Sequence, residues 1–127
     1  MKDITYDIIK KGLDASTMRQ KAISSNITNV NTPGYKANKV IFESELKKAL
    51  GKGGHAMDKT HDNHLGGSNT PPTGKVIKQK QNSMDETGNN VDIDREMVEL
   101  AANEIYNSAL IQQINRKLGS MSYVINR

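Results

Sequence analysis

Ten positions between residues 93 and 125 recur in unbroken steps of four and three: Ile93, Met97, Leu100, Glu104, Asn107, Ile111, Ile114, Leu118, Met121 and Ile125. Eight of the ten are apolar. Only an α-helix places that spacing on one face, so the last third of the chain is constrained to a long amphipathic helix. Ala101, Ile105, Ala109 and Leu110 widen the stripe. Acids gather at its start (Asp92, Asp94, Glu96, Glu99) and cations toward its end (Arg116, Lys117, Arg127), the order that a helix dipole favours. Asp92 and Asp94 are both candidate N-caps. Glu104 and Asn107 interrupt the stripe at its middle. They read equally as a device that fixes register and as a wet gap.

A matching pattern occupies residues 3–30. Ile9, Leu13, Ser16, Gln20, Ile23, Ile27 and Val30 follow the same alternation, with Ile4, Ile8, Ala15, Met18 and Ala22 on a neighbouring strip. A helix of this length would run ~40 Å at ~1.5 Å per residue, long for a small globular protein and natural for a coiled coil. The pattern ends at Thr32-Pro33-Gly34-Tyr35. Pro33 fixes its own φ and pushes Thr32 out of the helical region, and Gly34 supplies the positive φ of a type II turn. Asn26, Asn29 and Asn31 lie just upstream, where their side chains can bond the backbone of a helix end.

Between the two stripes the periodicity fails. Val40-Ile41-Phe42 reads as extended. Residues 42–50 fit two helical turns with Phe42, Leu46, Ala49 and Leu50 on one side, and Gly51-Lys52-Gly53-Gly54 ends them. Residues 51–90 are polar and rich in Gly, Asn and Pro, with Val76–Lys80 as a brief strand and residues 85–90 as a turn. The expected fold is therefore mainly α. Long N- and C-terminal helices pair as a coiled-coil-like antiparallel hairpin around an irregular, β-containing polar middle. The expected division is 1–31, 32–90 and 91–127, folded as one structural unit.

Composition narrows the function. Hydrophobic residues make up 35% of the chain and aromatics 4%, a poor supply for a monomer core. One pair of helices cannot bury stripes this wide, so contacts with other chains are expected. There is no Cys, which excludes disulfides and thiolate chemistry. No apolar run reaches the ~20 residues of a membrane span, and the N-terminus lacks the apolar core of a cleaved signal peptide. The net charge of +4 lies mostly in the first fifty residues, spread thinly and without interleaved aromatics. A solvated face explains it better than a nucleic-acid patch.

The chain offers few groups for chemistry. His55, His61 and His64, with Asp58 and Asp62 between them, sit in a Gly-rich segment that offers no rigid scaffold for a metal. Asp92-Ile93-Asp94 lacks the spacing of a calcium loop, and Gly51–Gly54 and Gly74-Lys75 do not make a phosphate loop. No nucleophile and base share a scaffold, and no enzyme, cofactor or metal is expected.

The run Asn26-Ile27-Thr28-Asn29-Val30-Asn31-Thr32-Pro33-Gly34-Tyr35-Lys36 resembles the N-terminal signature of bacterial flagellar rod and hook proteins. Asn89-Asn90-Val91-Asp92-Ile93-Asp94-Arg95-Glu96-Met97, leading into the last helix, resembles the C-terminal counterpart in proximal rod subunits. Met57–Leu65 resembles a Thr-x-x-x-His stretch of the same subunits, which gives His64 a role without a metal. The resemblance implies a structural subunit of the proximal rod, exported without a cleaved signal by the flagellar type III apparatus. It implies helical assembly with itself and with FlgC-like rod subunits, near a FliE-like adaptor, the membrane ring and the export gate.

On that reading Ile9, Leu13, Ile23 and Ile27 pack with Met97, Leu100, Ile111, Ile114, Leu118, Met121 and Ile125 as an assembly seam, within and between subunits. Asn29, Thr32, Pro33, Gly34 and Tyr35 form the turn motif. Phe42 and Leu46 resemble the element that docks such subunits on the export gate; ordinary packing of a short helix explains that pair as well. The alternatives are a basic helical module for nucleic acid, whose binding would fall steeply with salt, and the related rod protein FlgC, against which the Asp-Ile-Asp-Arg-Glu-Met run argues.

Overall fold

The computed structural model of the chain describes residues 4–51, 73–79 and 86–125. In order the elements are α1 (Ile4–Thr28), β1 (Asn38–Ile41), α2 (Glu43–Gly51), β2 (Lys75–Lys78) and α3 (Ile93–Ile125). The two long helices, the short helix and both strands fall where periodicity and β-rich runs placed them. The histidine segment and the Met57–Leu65 stretch lie outside the described residues.

Helix α1 has no cation in its last turn to offset the exposed carbonyls. It ends by tightening. Asn29 N–H is shared between the carbonyls of Ser25 and Asn26, and Val30 N–H bonds Ile27 O at 3.3 Å. Thr32 N–H then bonds Asn29 O at 3.0 Å, and Tyr35 N–H closes a turn on Thr32 O at 3.2 Å. Gly34, third in that turn, has φ of 72°. Helix α3 starts more simply. Asp92 Oδ1 accepts the N–H groups of Asp94 (3.0 Å) and Arg95 (3.2 Å), so of the two candidate caps Asp92 is the one used.

The long helices are antiparallel. Gly12 faces Leu110 and Tyr106, Ser16 faces Asn103 and Asn107, and Gln20 faces Asn103. At Gly12 an added Cβ would lie 3.2 Å from Leu110 Cδ1, so the helices approach closely there. Strands β1 and β2 pair antiparallel with Asn38 opposite Lys78 and Ile41 opposite Lys75. The ribbon lies on α1: Gly74, just before β2, sits against Ala15 and Met18. Among the described residues the core is small and consists of Ile9, Ala15, Ala22, Ile23, Ala37, Val40 and Phe42. Buried with it, among the same residues, are the polar Ser16, Asn26, Asn89 and Asn103. Among the described residues no buried side-chain polar atom lacks a hydrogen-bond partner.

Gly34 has open space where a Cβ would go, so its requirement is purely one of backbone conformation. Gly34→Ala is expected to cost about 1–2 kcal/mol, the penalty of a left-handed residue with a side chain. Chemical denaturation should show a lower midpoint with an unchanged slope.

Candidate functional site

Two stretches far apart in sequence build one junction at the end of α1. Asn89 Nδ2 reaches three backbone carbonyls there: Asn29 (3.0 Å), Val30 (2.8 Å) and Thr32 (2.9 Å). Its Oδ1 accepts Val91 N–H at 2.8 Å, on the approach to α3. Gly34 N–H bonds Thr87 O at 2.9 Å, and Lys36 Nζ bonds Gly88 O at 2.6 Å. Asn90 ties in the ribbon: its Oδ1 accepts Ala37 N–H (2.7 Å) and its Nδ2 donates to Gln79 O (3.1 Å).

A second asparagine closes the other side. Asn26 Nδ2 donates to Asn38 O at 2.9 Å, and Asn26 Oδ1 accepts Asn38 N–H at 2.8 Å, as a β-ladder pair would. Tyr35 OH sits between, within hydrogen-bond reach of Ser25 Oγ (2.9 Å), Asn38 Nδ2 (3.1 Å) and Asn26 Oδ1 (3.4 Å). Asn29 remains local: it donates to Ser25 O and accepts Thr32 Oγ1. The turn motif and the Asn89-Asn90 pair are thus halves of one hydrogen-bonded unit. Pro33 is exposed and acts through φ alone.

Helix α3 shows three kinds of face. Against α1 lie Asn103, Tyr106, Asn107 and Leu110, and Leu100, Ile114 and Met121, in line with them on α3, are half-buried. Asn103 is the most enclosed, at 3% exposure. It accepts Ser16 Oγ (3.2 Å) and donates to Ser16 O (3.1 Å) and Gln20 Oε1 (3.0 Å), and Asn107 donates to Ser16 Oγ (3.0 Å). Of the seam residues read from periodicity, Ile9 and Ile23 are buried, and Leu13, Ile27, Leu100, Ile114 and Met121 are half-buried. Met97, Ile111, Leu118 and Ile125 are exposed, at 55, 44, 47 and 81%. Beyond them Val98, Ile105 and Val124 are more than two-thirds exposed. Glu104 faces solvent with the exposed set.

The reason is a rotation. The α1-facing strip of α3 centres on Asn103 and Leu110, so the stripe centred on Met97, Ile111 and Leu118 is only its flank. A buried asparagine is invisible to a search for apolar spacing. Phe42 is 1% exposed, a core residue of the folded subunit, and Leu46 is half-buried beside it.

Charged groups line a cleft of about 290 Å³ where α1, β1 and the first turns of α3 meet. Arg19 holds Glu43 with two bonds, at 2.8 and 2.9 Å, and lies 6.0 Å from the Tyr106 ring centre. Partial burial pushes the Glu43 carboxyl up, but the Arg19 hydrogen bonds and charge, with backbone N–H bonds, bring it below the usual range. Glu96 moves the other way: burial raises it, and Glu99 and Asp92 add to that against the bond from Asn26. Among the described residues no cluster of three metal-ligating side chains occurs, and no helix is long and apolar enough to cross a membrane.

Comparison with known proteins agrees. The sequence model described as "Flagella basal body rod protein" matches residues 11–36, the second half of α1 and the turn motif. The flagellar basal body rod protein FlgB of Bacillus subtilis is 35% identical over 95% of this chain and 92% of its own. This chain belongs to the FlgB family of flagellar basal body rod proteins. FlgB of Borreliella burgdorferi is 37% identical over 80% of each chain, and FlgB of Escherichia coli is 30% identical over 91% of this chain and 88% of its own. These relatives are named as rod proteins, not as enzymes, and the FlgB match takes in both halves of the junction.

The two carboxylates of the cleft give opposite pH behaviour. Glu43, held below its ordinary value, adds stability above that value and loses it as pH falls through its folded pKa. Glu96, raised above 4.5, disfavours folding when ionised, so its part of the stability grows as pH falls through the raised value toward 4.5. Glu96→Gln is therefore expected to raise stability at pH 7, with the gain disappearing below about pH 4. Urea unfolding of both proteins across pH 3–8 measures it.

Proposed function

We propose that this chain is a structural subunit of the proximal rod of the bacterial flagellar basal body, built into the drive shaft by its terminal helices. The observation that carries this is the surface of α3. Large apolar residues, among them Met97, Val98, Ile105, Ile111 and Leu118, stand exposed on sides of α3 that α1 does not cover. Apolar side chains exposed in that number mark contacts with further chains. The seam of Ile9, Leu13, Ile23, Ile27, Leu100, Ile114 and Met121 holds the hairpin. Met97, Ile111, Leu118 and Ile125 are the residues offered to neighbours.

Neighbouring copies and FlgC-like rod subunits are the partners, with a FliE-like adaptor and the membrane ring at the base. The subunit leaves the cytoplasm unfolded through the flagellar type III apparatus, without a cleaved signal. A chain with no cysteine and a small core suits that route, because no cross-link has to be undone and little burial is lost on unfolding. Phe42 and Leu46 meet the export gate during this passage. In the folded subunit Phe42 is enclosed, so that contact belongs to the unfolded chain. Folding of the helices is then completed by assembly, as in other coupled systems.

Ile111→Asp and Leu118→Asp test this cleanly, because both side chains are exposed in the lone subunit. Each variant should unfold within about 0.5 kcal/mol of the parent, as surface substitutions do. Introduced into a strain lacking its own copy, each should abolish rods and swimming. Ile114→Asp, half-buried against α1, should lose stability as well. Normal swimming by the Ile111 and Leu118 variants would refute the assignment of this face.

A further inference from the structure

We infer that the outermost strip of α3 is self-complementary and pairs two copies of this chain, antiparallel, about a two-fold axis at Ile105. The strip lies opposite the side that α1 covers. Asp94, Val98, Ala101, Ile105, Ala109 and Arg116 are all exposed on it, Val98 at 70% and Ile105 at 72%. Asp94, Ile105 and Arg116 are spaced by eleven residues. Eleven residues make almost three whole turns of a straight α-helix, so the three side chains lie nearly on one line. The acid and the cation stand at equal distances, ~16 Å, on either side of Ile105.

That arrangement selects the partner and its direction. Laid antiparallel about Ile105, two copies place Asp94 of each against Arg116 of the other, satisfying both ends at once. Ile105 then meets its own copy, and Ala101 meets Ala109 with little bulk to hold the helices apart. Laid parallel in register, the same strip sets Asp94 against Asp94 and Arg116 against Arg116. Among the described residues neither Asp94 nor Arg116 has an ion pair within the subunit. An isologous contact of this kind closes on itself and cannot propagate. The pair therefore covers the apolar strip of the folded subunit. The inference rests on the surface of α3 alone and stands whether or not the subunit builds a rod.

The full chain has no cysteine, so single thiols report contacts without background. Asp94→Cys and Arg116→Cys variants are mixed and treated with a short bis-maleimide. The expected product is the mixed 94–116 dimer in excess of both like dimers. Products confined to 94–94 and 116–116, or no product at all, overturn the pairing. In sedimentation, Asp94→Arg should weaken dimerisation ~tenfold or more through two unlike pairs made alike, and Asp94→Arg with Arg116→Asp should restore it. A double variant as weak as the single one, or a single variant as tight as the parent, also overturns it. Ile111→Asp, which lies off the strip, leaves this dimer intact, so the failure of the dimer and the failure of the rod assignment give different results.

Discussion

The hydrogen bonds of Asn89 decide where the rest of the molecule goes. The last carbonyls of α1 are taken by the N–H groups of Asn29 and Val30, and the carbonyls of the turn that follows need a donor from elsewhere. One amide nitrogen reaches three carbonyls at this end, and its oxygen takes the N–H of Val91. The position needs donors and an acceptor on a short side chain. Aspartate would bring no donor, and lysine would bring a charge into a residue that is 3% exposed. Because Val91 immediately precedes the Asp92 cap, bonding the carbonyls of the turn that follows α1 also sets where α3 begins. The turn at Pro33-Gly34 and the ribbon of β1 and β2 are fitted around that join.

At mid-length the two helices meet through polar groups. Ser16, Gln20, Asn103 and Asn107 satisfy one another where a leucine zipper would have apolar side chains. A buried amide specifies register at some cost in stability, because only one alignment leaves no polar group unpaired. The hairpin thus has a defined alignment and modest apolar burial. The pairing leaves large apolar side chains of α3 outside, Met97 and Ile125 among them, and these are the residues the proposed assembly would cover. A subunit weak alone and specific in shape suits the proposed route of export and assembly.

Much of this was legible in the sequence. Four-and-three spacing located both long helices, because it depends only on the geometry of the helix. Pro33 and Gly34 marked the turn by their own backbone limits, and Val40 and Val76 marked strands by β-branching. The orientation of α3 was less legible. Leu100, Ile114 and Met121 are half-buried on that side, but the strip centres on Asn103 and Leu110, and an asparagine gives no apolar signal. The role of Asn89 was hidden for another reason. Its partners lie up to 60 residues away, and local chemistry describes only a loop there. The likeness of Asn89–Met97 to rod subunits marked the stretch as meaningful without saying what it bonds.

The hairpin depends on the join between the two ends of the chain. Native-state hydrogen exchange on Asn89→Ala measures this directly. If the join is central, protection is lost together in the last turns of α1, in β1 and in the first turns of α3, by a similar free energy in each. If the loss is confined to residues 86–91 while α1 and β1 keep their protection, Asn89 caps only its own loop, and the hairpin owes its alignment to Asn103 alone.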